Sequence, residues 1–259
     1  MKFKQFLFIT FLVALQLSFI SCNKHEPDYS LTNDKNSTTK SDSIVDPSNI
    51  YNSEDSTGIL HNILLNDFFI MYIERYSQID NFDSAKAITY SYFDLSNSQI
   101  NTINLLDGYA LQNYEDYDET MKSYYNSNTK VLSLYLQIKE IAVNLNLTLA
   151  EKISRIKIIE NNYVYTGLSN DQIINIKKGL SIVRYSLSYW APISQGGQGK
   201  LDNIIDSGYK ASINWGQIGI EDAWGAWIGA FSTANPFGAL AGGAACSAVL
   251  AVREYIRNN

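Results

Sequence analysis

Apolar positions along this chain change their rhythm three times. A nearly unbroken apolar run from Phe6 to Ile20 gives way to a polar stretch from Asn23 to Thr57. After it, apolar residues recur every three or four positions, the spacing of a helix with one buried face. In "ILHNILLNDFFIMYIERY" this spacing places Ile59, Ile63, Phe69, Ile70, Ile73 and Tyr76 on one broad stripe. A second helix is expected through "TKVLSLYLQIKEIAVNL", with an imperfect stripe of Leu132, Leu136, Lys139 and Val143. Three others announce their starts with a Ser/Thr-x-x-Glu/Gln capping box: Ser96 with Gln99, Thr148 with Glu151, Ser169 with Gln172. In that box the cap side chain and the third residue each satisfy an amide the helix leaves orphaned. Gly167 is expected to end a helix before a cap, and Gly179 to be a tolerated interior glycine. Tyr and Ile are abundant and would suit strands by propensity, but strict alternation is missing. The pattern predicts an all-α fold, an irregular multi-helix domain with a Gly/Ala/Trp-rich C-terminal helical hairpin.

That hairpin follows a glycine-rich break at "SQGGQGK", Ser194 to Lys200. From Ala223 to Val252 no residue is charged, a span longer than the ~20 residues needed to cross a bilayer as a helix. Asn235-Pro236 divides it, as cap and first-turn proline, into two short helices. Gly225 and Gly229, then Gly238 and Gly242, repeat at i, i+4 and form a candidate helix-packing or membrane face. In one reading the hairpin packs on the preceding domain with Trp215, Trp224 and Trp227 as large core pieces. In the other it inserts into a membrane, with Glu221 and Asp222 just outside the uncharged run. The Trp/Gly/Ala mixture resembles pore-forming or bacteriocin-like peptides. The last ~45 residues also resemble glycine-zipper tails of small Bacteroidota proteins, a likeness that implies no activity.

The N-terminus has the grammar of an export signal: Lys2 and Lys4, the apolar run, then the small residue Ser21. The run is about 15 residues, short for a membrane span. Ile20-Ser21-Cys22 resembles the end of the signal in bacterial lipoprotein precursors, with Phe19 in place of the usual Leu. The resemblance implies cleavage between Ser21 and Cys22, a diacylglycerol on the Cys22 thiol and acylation of its new amine. Membrane lipid would then be a partner through acylated Cys22. Lys24-His25-Glu26-Pro27-Asp28 loosely resembles the surface-export signal of Bacteroidota lipoproteins. That implies a lipid-anchored protein of the outer membrane, facing the periplasm or the surface. Asp42-Ser43-Ile44 and Asp55-Ser56-Thr57 resemble short O-glycosylation sites of exported proteins in the same group. The expected organisation is a signal over 1–21, lipidated cysteine and disordered polar tether over 22–57, a helical domain over 58–195 and the hairpin over 200–259. The tether's Ser, Thr, Asn and Asp cannot bury enough apolar surface to offset ordering entropy.

Chemistry has few candidates. With Cys22 acylated, Cys246 stands alone in an Ala/Gly-rich run and is expected to be a small packed residue. Neither C-x-x-C nor H-E-x-x-H occurs, and neither a metal site nor a cofactor is expected. The net charge of -6 argues against a nucleic-acid partner. His61-Asn62 has the types for a general base and its orienter, but lacks a nucleophile motif and is expected as a polar residue at the core edge. Glu115, Asp116, Asp118 and Glu119 are dense enough for Ca²⁺ or for an acid/base pair. Lacking the spacing of a calcium loop, they are expected as a solvated helix start. No catalytic residue is assigned. The expected function is a non-enzymatic envelope lipoprotein, an interaction or structural module for an unknown protein or glycan. A membrane-active hairpin is the alternative, and a glycan binder or glycan-acting enzyme using Trp190 or Trp224 is the weaker one.

Overall fold

In the computed structural model the described residues are 44–76, 81–97, 100, 101, 104, 129–200, 215–232 and 238–258. They contain seven α-helices, with no strand among them: α1 (Ser56–Tyr76), α2 (Phe82–Tyr92), α3 (Thr129–Val143), α4 (Leu149–Asn162), α5 (Asn170–Trp190), α6 (Trp215–Ser232) and α7 (Gly238–Asn258). A 3-10 turn, Ile193–Gln195, follows α5. This is an all-α, multi-helix domain.

Its centre is the Gly/Ala/Trp-rich hairpin together with α5. α6 packs on α7, α5 and α3, while α7 also meets α1, α2 and α5. Ile218 to Trp227 of α6 are buried without a break, as are Gly242 to Val249 of α7. A helix apolar all round is stable in water only when surrounded, and the outer helices supply that cover. Phe69 of α1 meets Trp190 edge-on at 5.8 Å, and Tyr135 of α3 meets Trp227 at 6.2 Å. Small residues let the central backbones close up. A Cβ on Gly225 would lie 2.5 Å from the Gly242 carbonyl oxygen and 2.6 Å from the Cys246 sulfur, so the hairpin crosses where only hydrogen fits. Cys246 is buried at that crossing. Gly229 and Gly238 lie within α6 and α7, at positions whose surroundings fall outside the described residues.

Two capping boxes form as the sequence predicts. Thr148 caps α4 and Ser169 caps α5, with Glu151 and Gln172 returning the bond to the cap amide. The Ser96 box is described only in part: the Ile100 amide donates to the Ser96 carbonyl, and Gln99 lies outside the described residues. Gly167 sits at φ 85°, the left-handed turn between α4 and the Ser169 cap.

Three expectations need correction. On α1 the isoleucines point outward: Ile59, Ile63, Ile70 and Ile73 are exposed, while His61, Leu65, Phe68, Phe69 and Tyr72 face the core. Gly179 is not merely tolerated, because a Cβ there would lie 1.8 Å from Trp227 Nε1; the indole lies across α5 at that glycine. The polar stretch expected as a disordered tether to residue 57 also ends early. Residues 44–57 are folded, with Asn49 and Asn52 buried and the Val45 amide bonded to the Gly196 carbonyl at 2.8 Å. Composition argues for disorder because Asn, Asp and Ser lack apolar surface. In this stretch they instead make side-chain-to-backbone turns, such as the Tyr51 amide on Asn49 Oδ1 and the Glu54 amide on Asn52 Oδ1.

Candidate functional site

Buried ionisable groups gather in two places, both built on α5. The first fastens the chain ahead of α1. Arg184 sits on the apolar face of α5, between Leu180 and Leu187, with a fully buried side chain. Its guanidinium holds Asp55 (Nη2–Oδ1, 2.5 Å) and Glu160 of α4 (Nε–Oε2, 2.9 Å), and donates to the Pro47 carbonyl. Asn49 Nδ2 donates to Glu160 Oε2 at 2.7 Å, Asn52 Nδ2 donates to Glu160 Oε1 at 2.5 Å, and Tyr185 donates its hydroxyl to Asp55 at 3.0 Å. A guanidinium presents donors in a rigid fork, and here two carboxylates and a carbonyl occupy it. Beside this clasp opens a polar pocket of about 380 Å³, lined by Tyr51, Asn52, Glu160, Asn161, Tyr165 and Lys177. A longer open groove of about 560 Å³ runs between α3 and α4, with Lys130 and Tyr163 at one end.

The second cluster lies inside the bundle, where α1, α5, α6 and α7 meet. Asp222 of α6 is fully buried. Its Oδ2 accepts from the Ser186 hydroxyl and from Trp190 Nε1 at 3.3 Å, and Trp190 also donates to Ser247 Oγ of α7 at 3.1 Å. His61 Nε2 of α1 lies 3.7 Å from Asp222 Oδ2. Burial raises the Asp222 carboxyl well above the usual carboxylate range, against the pull of Ser186, Ser247 and Trp190. Burial also lowers His61 to about 4, opposed by Asn62 and the Gly243 backbone. The imidazole is therefore neutral at neutral pH. Asn62 Nδ2 donates to the Tyr185 carbonyl at 3.0 Å, leaving its Oδ1 to accept from His61 Nδ1 at 3.0 Å.

Ser, His and Asp thus meet, but not in an order that activates a nucleophile. The serine hydroxyl bonds the carboxylate rather than the imidazole, and nucleophilic catalysis needs the base beside the nucleophile. His61, Ser186, Trp190, Asp222 and Ser247 are all buried, so the cluster joins four helices in one register. Lys152 does similar work at the far side. Its Nζ donates to the Ala142 carbonyl at 2.5 Å and lies 4.3 Å over the Trp215 ring, and burial lowers it to about 8.

Of the residues singled out from sequence, the structure brings Gly225 and Gly242 together and carries His61 inward rather than to the core edge. It buries Trp190 and Trp224, so neither offers an exposed face for stacking on a sugar. Ser21, Cys22, Glu115, Asp116, Asp118 and Glu119 lie outside the described residues. The sequence carries no sign that Arg184, Glu160 and Asp55, or Asp222, Ser186 and Ser247, form polar clusters. Arg184 did leave a signal, a charge placed on the apolar stripe of its own helix. Among the described residues no group of three or more His, Cys, Asp or Glu is placed to hold a metal ion, and no helix is long and apolar enough to cross a membrane.

Fold and site together define an all-helical domain organised around a buried hairpin and two internal polar clusters. Comparison with protein-family models, with curated proteins and with solved structures finds no match for it.

Proposed function

We propose that this chain is a lipid-anchored protein of the bacterial outer membrane, facing the periplasm or the surface. Cys22 carries the acyl chains, and the helical domain is a non-enzymatic interaction or structural module for a protein or glycan partner. One observation carries the choice over a membrane-active hairpin: among the described residues, Ile218 to Trp227 of α6 and Gly242 to Val249 of α7 are buried inside the domain, with Trp224 and Trp227 among the most enclosed side chains. Membrane attachment then falls to Cys22. Two or more acyl chains give stable anchoring, which one chain does not.

The experiment is fatty-acid labelling and membrane fractionation of the wild type and of Cys22→Ala. The variant should lose both the label and its place in the membrane fraction. A variant that remains in the membrane would transfer the anchoring to the hairpin. Dye release from lipid vesicles by the unlipidated protein would point the same way.

A further inference from the structure

Helix α1 has two apolar faces, and the core uses one. Ile59, Ile63, Ile70 and Ile73 are 46%, 44%, 51% and 43% exposed. At 3.6 residues per turn they lie within about 40° of a single line, roughly 21 Å long. The face centred on Leu65, Phe68 and Tyr72 points away from it. Four isoleucines aligned against water, interrupted only by Asn66, mark an interaction surface. Ahead of it in sequence, Ile44, Ile50 and Tyr51 are exposed as well. This is the part of the folded body that first follows the anchor. About 22 residues join Cys22 to Ile44, a length of chain that reaches at most roughly 75 Å.

We propose that the isoleucine stripe of α1 rests on the bilayer that holds the Cys22 lipid, at the boundary between acyl chains and headgroups. The proposal builds on the anchor assigned to Cys22 above. A short tether presents the bilayer at high effective concentration, so a contact too weak to bind a soluble protein is enough. The rim of the stripe names the lipid. Asp67 and Glu74 are exposed along one edge, and Lys200 reaches Asn66, midway along the stripe, at 3.4 Å. Charges of both signs at headgroup depth suit zwitterionic lipid better than anionic lipid. A second copy of the chain fits less well. The stripe reads almost alike in both directions about Asn66, but an antiparallel pair would set Asp67 against its own symmetry mate, and like charges placed so destabilise.

The test couples the mature chain through the Cys22 thiol to a maleimide lipid in phosphatidylethanolamine/phosphatidylcholine vesicles. Coupling is chemical, so the outcome does not depend on whether cells acylate Cys22, which the labelling experiment decides separately. An environment-sensitive fluorescent amino acid replaces Ile63, or, as control, the exposed Ser133 on α3. On the vesicles the emission at position 63 should shift to the blue and be mostly quenched by nitroxide lipids, while position 133 stays unchanged. Replacing half the zwitterionic lipid with phosphatidylglycerol should weaken the quenching. Ile63→Asp combined with Ile70→Asp, followed by a label replacing Ile59, should abolish it while leaving the thermal unfolding midpoint in place. Equal quenching at both sites, or none at position 63, overturns the proposal. So does a blue shift at position 63 that grows with protein concentration without vesicles, because a second copy then covers the stripe.

Discussion

A methyl group added at Gly179 has no room, since its carbon would fall 1.8 Å from Trp227 Nε1. Alanine is the better helix former by about 1 kcal/mol, yet overpacking a filled core costs about 1–3 kcal/mol or more. Gly179→Ala should therefore lower unfolding free energy, by about 2 kcal/mol in urea denaturation, where helix propensity alone predicts a gain. The buried His61–Asp222 pair makes a second residue-scale prediction, on pH. His61 titrates near 4 when folded against 6.5 when free. Its contribution is complete above 6.5 and is lost as pH falls towards 4, by up to about 3 kcal/mol, since only the unfolded chain takes the proton. Asp222 works in the opposite sense: raised above its free value of 3.8, it contributes fully below 3.8 and loses that contribution as pH rises through its folded value. Denaturation at several pH values should show His61→Gln flattening the acid limb and Asp222→Asn flattening the limb on the alkaline side. An unchanged profile in both variants would mean that these groups do not titrate differently on folding.

At the scale of elements, the clasp on α5 is the part most open to disruption. Removing one partner of a buried ion pair strands the others and costs about 3–5 kcal/mol, far beyond the 0–1 kcal/mol of a surface pair. Arg184→Met leaves Glu160 and Asp55 without their cation, and should release residues 45–58 to fast amide exchange before the hairpin is affected. Uniform loss of protection across the domain would show that the clasp is not a local unit. The starts of α4 and α5 were legible because a capping box is local, needing only residues three apart. The orientation of α1 was not. A helix with isoleucines on one side and Leu65, Phe68 and Tyr72 on the other satisfies the same period twice, and periodicity holds no information about which side meets the core.

Across the whole molecule the all-α class was readable because it depends on spacing within each segment. The polar clusters were not, because their members come from distant parts of the chain: Asp222 finds Ser186 on α5, His61 on α1 and Ser247 on α7. In sequence Asp222 marks the edge of an uncharged run, whereas in the fold it is the polar centre of the bundle. The start of the folded body is hidden in the sequence for a related reason, since Asn49 and Asn52 are held by Glu160, more than a hundred residues away. The same clasp has a mechanical consequence. Any pull on the chain ahead of Ile44 reaches the Val45–Gly196 bond first, then Pro47 and Asn49, then Asp55, all before the first turn of α1. These fastenings engage α4, α5 and the turn after it. Tension is thereby shared among elements remote in sequence, instead of peeling α1 away from its exposed end.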